Sequence, residues 1–142
     1  MKKKNELVVG EIFKHWPGKT ITESDNNIFC LMTMNHHPIH IDNLYSKKSR
    51  FKKKLVVGTY VFSLVVGLSV KDISLNAVAN LGYEKITHLK PVFIGDTLYA
   101  KSKVLSKRKS QKNPKKFIIE IETYAENQKK KNVLSFKRFI LI

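Results

Sequence analysis

Residues 55–70 read LVVGTYVFSLVVGLSV and contain no charged side chain. A membrane-spanning helix needs about 20 predominantly apolar residues, and this run is shorter and contains two Gly, two Ser and one Thr. Its apolar side chains fall on every side of a helical projection, a pattern typical of a helix enclosed on most sides. Gly67 costs such a helix about 1 kcal/mol relative to Ala, so we expect another backbone to pass close to it. The run predicts a buried helix over about residues 59–72 and no membrane span.

Downstream of this helix the hydrophobic pattern changes to a period of two. Apolar and polar side chains alternate over residues 98–104 and 117–122, and residues 133–142 form a mostly apolar run. This period is typical of β-strands, because successive side chains of a strand point to opposite faces. The polar connections at 107–116 and 126–132 are short enough for antiparallel hairpins. The second half of the chain therefore predicts an antiparallel meander of three strands.

Two shorter signals flank the long run. Thr22, followed by acidic residues, provides an N-cap and predicts a helix that ends near residue 33. Residues 91–97 read PVFIGDT, the pattern of a strand end and a tight turn, in which Asp96 after Gly95 suits left-handed or turn geometry. The order of elements is a helix, a loop, a long buried helix and a meander. It predicts an α+β fold with the sheet curled around one helix.

Length and composition limit the class of protein. The chain has 142 residues, of which 42% are apolar, so it fits one globular domain over residues 1–142 and not a disordered chain. Cys30 is the only cysteine and cannot form an intrachain disulfide, and the sequence opens without the charged and apolar regions of a signal peptide. We therefore expect a reducing, cytoplasmic setting.

The chain is strongly basic, with 27 Lys and Arg against 11 Asp and Glu and a formal net charge of +16. This charge suits an anionic partner, either nucleic acid, a membrane surface or a phosphate-bearing ligand. The basic residues concentrate in separate runs at 2–4, 47–54, 107–116 and 129–131. Lys107, Arg108 and Lys109 have no aromatic side chain among them to stack on a base, and neither does the run at 129–131. Solvated surface loops are therefore favoured over a specific nucleic-acid site.

The residues that carry chemistry cluster at 33–42, which read TMNHHPIHID. Three of the five histidines of the chain, His36, His37 and His40, lie in this segment. No cysteine lies among them, and Pro38 breaks the helical spacing that would place two imidazoles on one face, so we expect no metal site. Two interpretations stay open from the residues alone. Either the histidines only form a turn, or one of them transfers a proton.

The segment resembles the hydratase motif of the MaoC-like dehydratases, the (R)-specific enoyl-CoA hydratases, whose pattern is Gly-Asp-x-Asn-Pro-aliphatic-His. Three residues match the end of that pattern: Pro38, Ile39 and His40. Three others depart from it, because Met34, Asn35 and His37 replace its Gly, Asp and Asn. The departure at Asn35 matters most, since the family has a catalytic Asp at that position.

The resemblance extends over nearly the whole chain. It includes residues 20–25 before the motif, residues 55–58 at the start of the long helix and residues 91–98 in the sheet. Residues 33–40 and 65–70 are similar to the branch that includes mesaconyl-CoA and β-methylmalyl-CoA hydratases. The family implies a hotdog fold, in which an antiparallel sheet wraps around a long central helix. It also implies subunits that pair by extending their sheets, so we expect a homodimer or a higher multiple.

The resemblance further implies addition of water across the double bond of an enoyl-CoA thioester, or its reverse, with acyl-CoA as substrate and no cofactor. His40 would be the general acid or base, since a histidine exchanges its proton near neutral pH. Gly58 would place a backbone N–H of the long helix against the thioester oxygen as it becomes enolate-like. Asn35 cannot take a proton from water but can orient it. Contact with the substrate is expected for His37, Pro38 and Val57.

Three other functions stay open. The departure at Asn35 is compatible with a hotdog protein that binds acyl-CoA without turning it over. Hotdog thioesterases commonly carry an acidic residue in the central helix, and residues 59–71 contain none, so this activity is disfavoured. A basic RNA-associated protein is the third. Asp42 could supply the missing carboxylate, although a cap of the turn that follows it is favoured.

Overall fold

The computed structural model describes residues 6–142, so the lysine run at 2–4 lies outside the described residues. The elements follow in this order: β1 (Ile12–Lys14), β2 (Lys19–Thr20), α1 (Glu23–Met32), α2 (Pro38–Ile41), α3 (Asn43–Lys48), α4 (Gly58–Ser69), a π-helical turn (Val70–Ser74), β3 (Ala79–His88), β4 (Thr97–Lys109), β5 (Phe117–Glu126) and β6 (Asn132–Leu141). Across residues 6–142, every helix falls short of the length and apolar character that a membrane crossing requires.

The strands form one antiparallel sheet in the order β1, β4, β5, β6, β3, and β2 also pairs with β4. Buried and partly exposed residues alternate along β4, β5 and β6, because one face of each strand points into the core. α4 buries Val61 and Val65 in the same core cluster as Leu98 and Phe136 of the sheet. The predicted α+β architecture, an antiparallel sheet against one long helix, is confirmed.

The elements predicted from periodicity are present, with shifted ends. α4 starts one residue before the predicted helix, and helical backbone continues through the π-helical turn to Ser74. β4, β5 and β6 form the predicted meander; β4 and β5 are longer than their alternating segments, and β6 lies one residue before the predicted run at 133–142. α1 begins after Thr22 as expected, because the Thr22 hydroxyl accepts the Asp25 N–H at 3.1 Å and the Asp25 carboxylate accepts the Thr22 N–H at 2.8 Å.

β3 was not predicted, although it spans ten residues. It lies at the edge of the sheet and pairs only with β6, with register shifts on both sides of Gly82–Glu84. Most of its side chains are exposed or half-buried, so the segment lacks the alternation that reveals a strand with one buried face. Leu81 and Ile86 stay exposed, and within residues 6–142 no strand covers its outer edge.

The expectation that α4 is enclosed on most sides was wrong. Thr59, Ser63 and Gly67 face outward and are exposed, because the helix packs on the sheet along one side only. A Cβ at Gly67 would meet no atom within 4 Å among residues 6–142, so the close backbone predicted there is not present in this chain. The half-buried apolar residues of α4 cover the flanks of the contact with the sheet.

The predicted turn at 91–97 is present and fixes one wall beside α4. Gly95 adopts the left-handed conformation, with φ +93°, and Asp96 closes the turn by accepting the Phe93 N–H at 2.9 Å. The segment before the turn then runs beside residues 55–56, where the Val56 N–H donates to the Val92 carbonyl at 2.9 Å. The turn therefore positions residues 91–93 next to the start of α4.

A buried polar network joins the other end of α4 to the sheet. The His15 side chain is fully buried, with Nδ1 2.6 Å from Asp72 Oδ2 and Nε2 2.8 Å from Ser102 Oγ. The Ser102 hydroxyl lies 2.7 Å from the Thr123 hydroxyl on the neighbouring strand. Because buried polar groups without partners are costly, this chain of hydrogen bonds fixes the π-helical turn against β4 and β5.

We expect Ser102→Ala to lower the free energy of unfolding by about 1–3 kcal/mol, because it leaves the His15 ring and the Thr123 hydroxyl each short of a buried partner. Ser63→Ala, on the exposed side of α4, is the matched control and should stay within about 0.5 kcal/mol of the wild type. Urea denaturation measures both. Equal stability of the two variants would contradict the structural role of the network.

Candidate active site

The first part of the site is the short helix α2, which presents His40. His37 is its N-cap and accepts the Ile39 N–H at 3.1 Å through Nδ1, and Pro38 follows at the first helical position. Proline suits that position because its missing N–H would have no helical partner. The imidazole of His37 thus caps the helix as an Asn side chain would.

His40 is held in one tautomer by a backbone contact. Its Nδ1 lies 2.9 Å from the Leu55 carbonyl oxygen. A carbonyl oxygen only accepts, so Nδ1 carries the hydrogen and donates it. In the neutral ring, Nε2 then has the free lone pair and is the atom that can take a proton.

Asn26 connects the His40 segment to α4. Its side chain is fully buried on α1, and Nδ2 donates to the His40 carbonyl oxygen at 3.0 Å. Its Oδ1 accepts the Val57 N–H, also at 3.0 Å. One amide therefore fixes the backbone of α2 relative to the residue before α4.

The N-terminus of α4 is open to a ligand. Val57 is the N-cap residue, and within residues 6–142 no side chain caps the helix. The first N–H groups of a helix have no helical partner and carry the positive end of its dipole, which favours a developing negative charge. A Cβ at Gly58 would lie 2.9 Å from the His88 ring, so glycine is needed for this close approach.

A cleft of about 340 Å³ brings these groups together. His40, Gly58 and His88 line it, with the apolar side chains of Val56 and Val61 beside them. The remaining lining residues are Arg50, Phe51, Leu55, Leu89, Lys90, Pro91 and Val92. The cleft thus combines a histidine with a free ring nitrogen, an uncapped helix N-terminus and two cationic side chains.

Four of the residues expected at the site do not line this cleft among residues 6–142: Asn35, His37, Pro38 and Val57. Asn35 is half-buried, and its side-chain oxygen accepts the His37 N–H at 3.4 Å. His37 and Pro38 form the start of α2. The Val57 side chain is buried in the core, and its neighbours Val56 and Gly58 line the cleft instead.

Asp42 and Cys30, two other residues that could carry chemistry, have structural positions outside the cleft. Asp42 caps α3, accepting the Leu44 N–H at 2.8 Å and the Tyr45 N–H at 2.9 Å through one oxygen, as the capping interpretation predicted. Cys30 is fully buried in α1, and burial raises the pKa of its thiol, so it is not an available nucleophile. In the part of the chain that the structure describes, no three His, Cys, Asp or Glu side chains form a group that could hold a metal ion.

Sequence reasoning missed Asn26 and His88. Asn26 lies in a helix with polar residues on several sides, and its sequence carries no sign that the side chain is fully buried. His88 ends the strand that was not predicted, and it lies 48 residues from His40, so only the folded chain brings the two into one cleft. A buried Asn and a lone His each lack a spacing signal that could have revealed them.

Comparison with known proteins agrees with this architecture. The family model described as "MaoC like domain" matches residues 4–127. The mesaconyl-CoA hydratase of Cereibacter sphaeroides is 33% identical over 134 residues, which cover 94% of this chain but 39% of that relative. The chain therefore spans about two fifths of the length of that relative.

Solved structures give the fold. The R-hydratase PhaJ1 of Pseudomonas aeruginosa superposes with a TM-score of 0.79 at 25% identity and covers 95% of this chain and 81% of that chain. A double-hotdog protein of Mycobacterium tuberculosis superposes with a TM-score of 0.87 at 19% identity, covering 100% of this chain and 45% of that one. The hotdog fold expected from the sequence is confirmed.

We expect Asn26→Ala to lower the free energy of unfolding by about 1–3 kcal/mol, because it leaves the His40 carbonyl and the Val57 N–H without their buried partner. Hydrogen exchange at the Val57 amide should become faster in the same variant. Asn27→Ala is the matched control, since the Asn27 side-chain oxygen accepts no hydrogen bond within residues 6–142. If Val57 exchanges equally fast in both variants, Asn26 does not hold the two segments together.

Proposed function

Because the chain belongs to the family of MaoC-like domains, we propose that it adds water to the 2,3 double bond of an enoyl-CoA thioester, or removes it. The observation that carries the proposal is the placement of His40, whose Nε2 is free, in one cleft with the uncapped N-terminus of α4. A base can activate the water, and a helix N-terminus can stabilise the negative charge that develops on the thioester oxygen. The CoA thioester is the substrate, and the proposed reaction uses no cofactor.

In the proposed mechanism His40 and Gly58 act on opposite ends of the reacting system. Nε2 of His40 takes a proton from water, whose oxygen bonds to C3. The electrons of the double bond move toward the thioester oxygen, where the first N–H groups of α4 stabilise the negative charge. When these electrons return, C2 takes up a proton and the hydrated thioester is complete. The Leu55 carbonyl keeps the base in the required tautomer and stabilises the imidazolium as it forms.

We propose a short acyl group, such as a branched C4–C5 dicarboxylic one, as the natural substrate. The relative at 33% identity is named for mesaconyl-CoA, although that protein is more than twice as long. Arg50 and Lys90 line the cleft and would attract a second carboxylate or the phosphates of CoA. The high positive charge of the chain supports the same class of ligand.

The remaining expected site residues receive supporting roles in this proposal. Asn35 and His37 shape the turn before α2 through the contact between the Asn35 oxygen and the His37 N–H. Pro38 starts α2, and Val57 donates its N–H to Asn26, so both set where His40 and Gly58 lie. Direct contact with the substrate is proposed for His40 and Gly58.

A second copy of the chain is the proposed partner. The outer edge of β3 is unpaired within residues 6–142 and carries the exposed apolar side chains of Leu81 and Ile86. An open strand edge of this kind pairs readily with another strand. A dimer formed there would extend the sheet and bring the partner close to His88 at the end of β3. The cytoplasmic location expected from the single cysteine stays a prediction.

A panel of enoyl-CoA thioesters, including crotonyl-CoA and mesaconyl-CoA, tests the proposal by loss of enoyl absorbance. His40→Ala should lower kcat about 100-fold or more, because general acid–base catalysis typically contributes 10²–10⁴. Its affinity for CoA esters should stay near that of the wild type. Undiminished hydration by His40→Ala would exclude the mechanism.

The same panel separates the alternative functions. Binding of the thioesters without turnover by the wild type would indicate an acyl-CoA-binding protein. Release of free CoA thiol would indicate a thioesterase. The second result would be unexpected, because α4 contains no acidic residue that could activate water for hydrolysis.

Asn35→Asp tests whether the missing family carboxylate matters. We expect turnover within about threefold of the wild type, the range of a substitution of about 0.5 kcal/mol that changes no buried contact. The carboxylate can still accept the His37 N–H, and residue 35 does not line the cleft. Kinetics on the best thioester of the panel measures the change. A tenfold or larger increase would show instead that residue 35 reaches the reacting atoms.

A further inference from the structure

We propose that His88 is a second catalytic residue of this cleft, the acid that delivers a proton to C2 of the enoyl thioester while His40 takes one from water. The inference deepens the proposed hydratase function and rests on it. It answers a question that the sequence leaves open, namely which group assists His40 where the family Asp has become Asn35.

The position of His88 is the first observation. It is the last residue of β3 and pairs with Leu134 of β6, so the sheet fixes its backbone. Its Cε1 and Nε2 lie 2.9 Å from the place that a Cβ of Gly58 would occupy, so the ring lies directly against the first residue of α4. A thioester oxygen bound at that N-terminus would therefore have its C2 close to this imidazole.

The chemical availability of the ring is the second observation. Both ring nitrogens of His15 take part in hydrogen bonds, and His37 and His40 each use Nδ1 to fix local structure. The His88 side chain makes no hydrogen bond within residues 6–142. Its ring packs against Gly58, and its two nitrogens are available to a ligand.

The composition of the cleft is the third observation. Among residues 6–142 no Asp or Glu lines it, and Asn35 lies outside it. Arg50 and Lys90 are cations suited to binding anions. The two histidines are the lining side chains whose ring nitrogens can both accept and donate a proton.

The reaction balances with these two groups alone. An O–H bond of water breaks as Nε2 of His40 takes the proton, and the water oxygen forms its bond to C3. The electrons of the C2=C3 bond reach the thioester oxygen at the N-terminus of α4. When they return, C2 takes the proton from protonated His88, and solvent then carries the extra proton of His40 to His88. No electron acceptor or other reactant is consumed.

His88→Gln tests the proposal, and His88→Phe controls for the packing of the ring against Gly58. His36→Gln is the matched histidine control, since His36 is exposed and does not line the cleft. We expect both His88 variants to lower kcat about 100-fold or more, with KM changed less than about threefold. The kcat/KM profile of His88→Gln should lose its alkaline limb, because the acid of the hydration step no longer titrates. His36→Gln should behave as the wild type.

The outcomes separate this inference from the hydratase proposal. If His88→Phe keeps the wild-type activity and His88→Gln loses it, the ring only packs against α4 and the acid role is overturned. If both variants keep wild-type kcat while His40→Ala does not, the inference fails and the hydratase proposal stands. If the wild type hydrates no thioester of the panel, both fail together.

Discussion

The fully buried amide of Asn26 is the constraint on which the site depends. Its two hydrogen bonds, each 3.0 Å, join the His40 carbonyl to the Val57 N–H across three segments of the chain. A buried amide that loses one partner costs about 1–3 kcal/mol, so α2 and the start of α4 cannot shift independently. The Leu55 carbonyl adds a second link, from the segment before α4 to the His40 ring. His40, the proposed base, and the N-terminus of α4 are thus held in place by the same set of hydrogen bonds.

The turn before α2 keeps its hydrogen bonds although two of its residues differ from the family motif. His37 replaces an Asn of the motif, yet its Nδ1 accepts the Ile39 N–H and caps α2 as an Asn oxygen would. Asn35 replaces an Asp, and its oxygen accepts a backbone N–H, which a carboxylate also does. Both substitutions keep the hydrogen bonds that shape the turn. What the turn loses at Asn35 is a carboxylate, and a second histidine, His88, lines the cleft together with His40.

The parts of the fold with a strong periodic signal could be predicted from the sequence. The uncharged run predicted α4, and the alternation predicted β4, β5 and β6, since one face of each is buried. The motif predicted His40 and the wider family resemblance predicted Gly58, and both residues line one cleft. β3 was not predicted, because an edge strand with exposed side chains shows no alternation of apolar and polar residues. His88, its last residue, was therefore not predicted either. The prediction that another backbone passes close to Gly67 was wrong. The sheet covers only one side of α4, and a helix with apolar residues on every side does not indicate in its sequence which side that is.

The side chains packed between α4 and the sheet limit the length of the acyl group that the proposed site can hold. Phe62, Tyr83 and Phe136 pack edge to face beyond Val61, with ring centroids 5.0 Å apart in two of the three pairs, and so fill the space between α4 and the sheet. Arg138 lies farther along and donates to the Ser69 hydroxyl at 3.0 Å. Burial lowers the pKa of its guanidinium, although Tyr83 opposes the effect. Ser69 is eleven residues from Gly58, about 16 Å along the helix axis. A four- or five-carbon acyl group is shorter than this separation, so in the proposed function Arg50 and Lys90 of the cleft, and not Arg138, are the cations assigned to its far end.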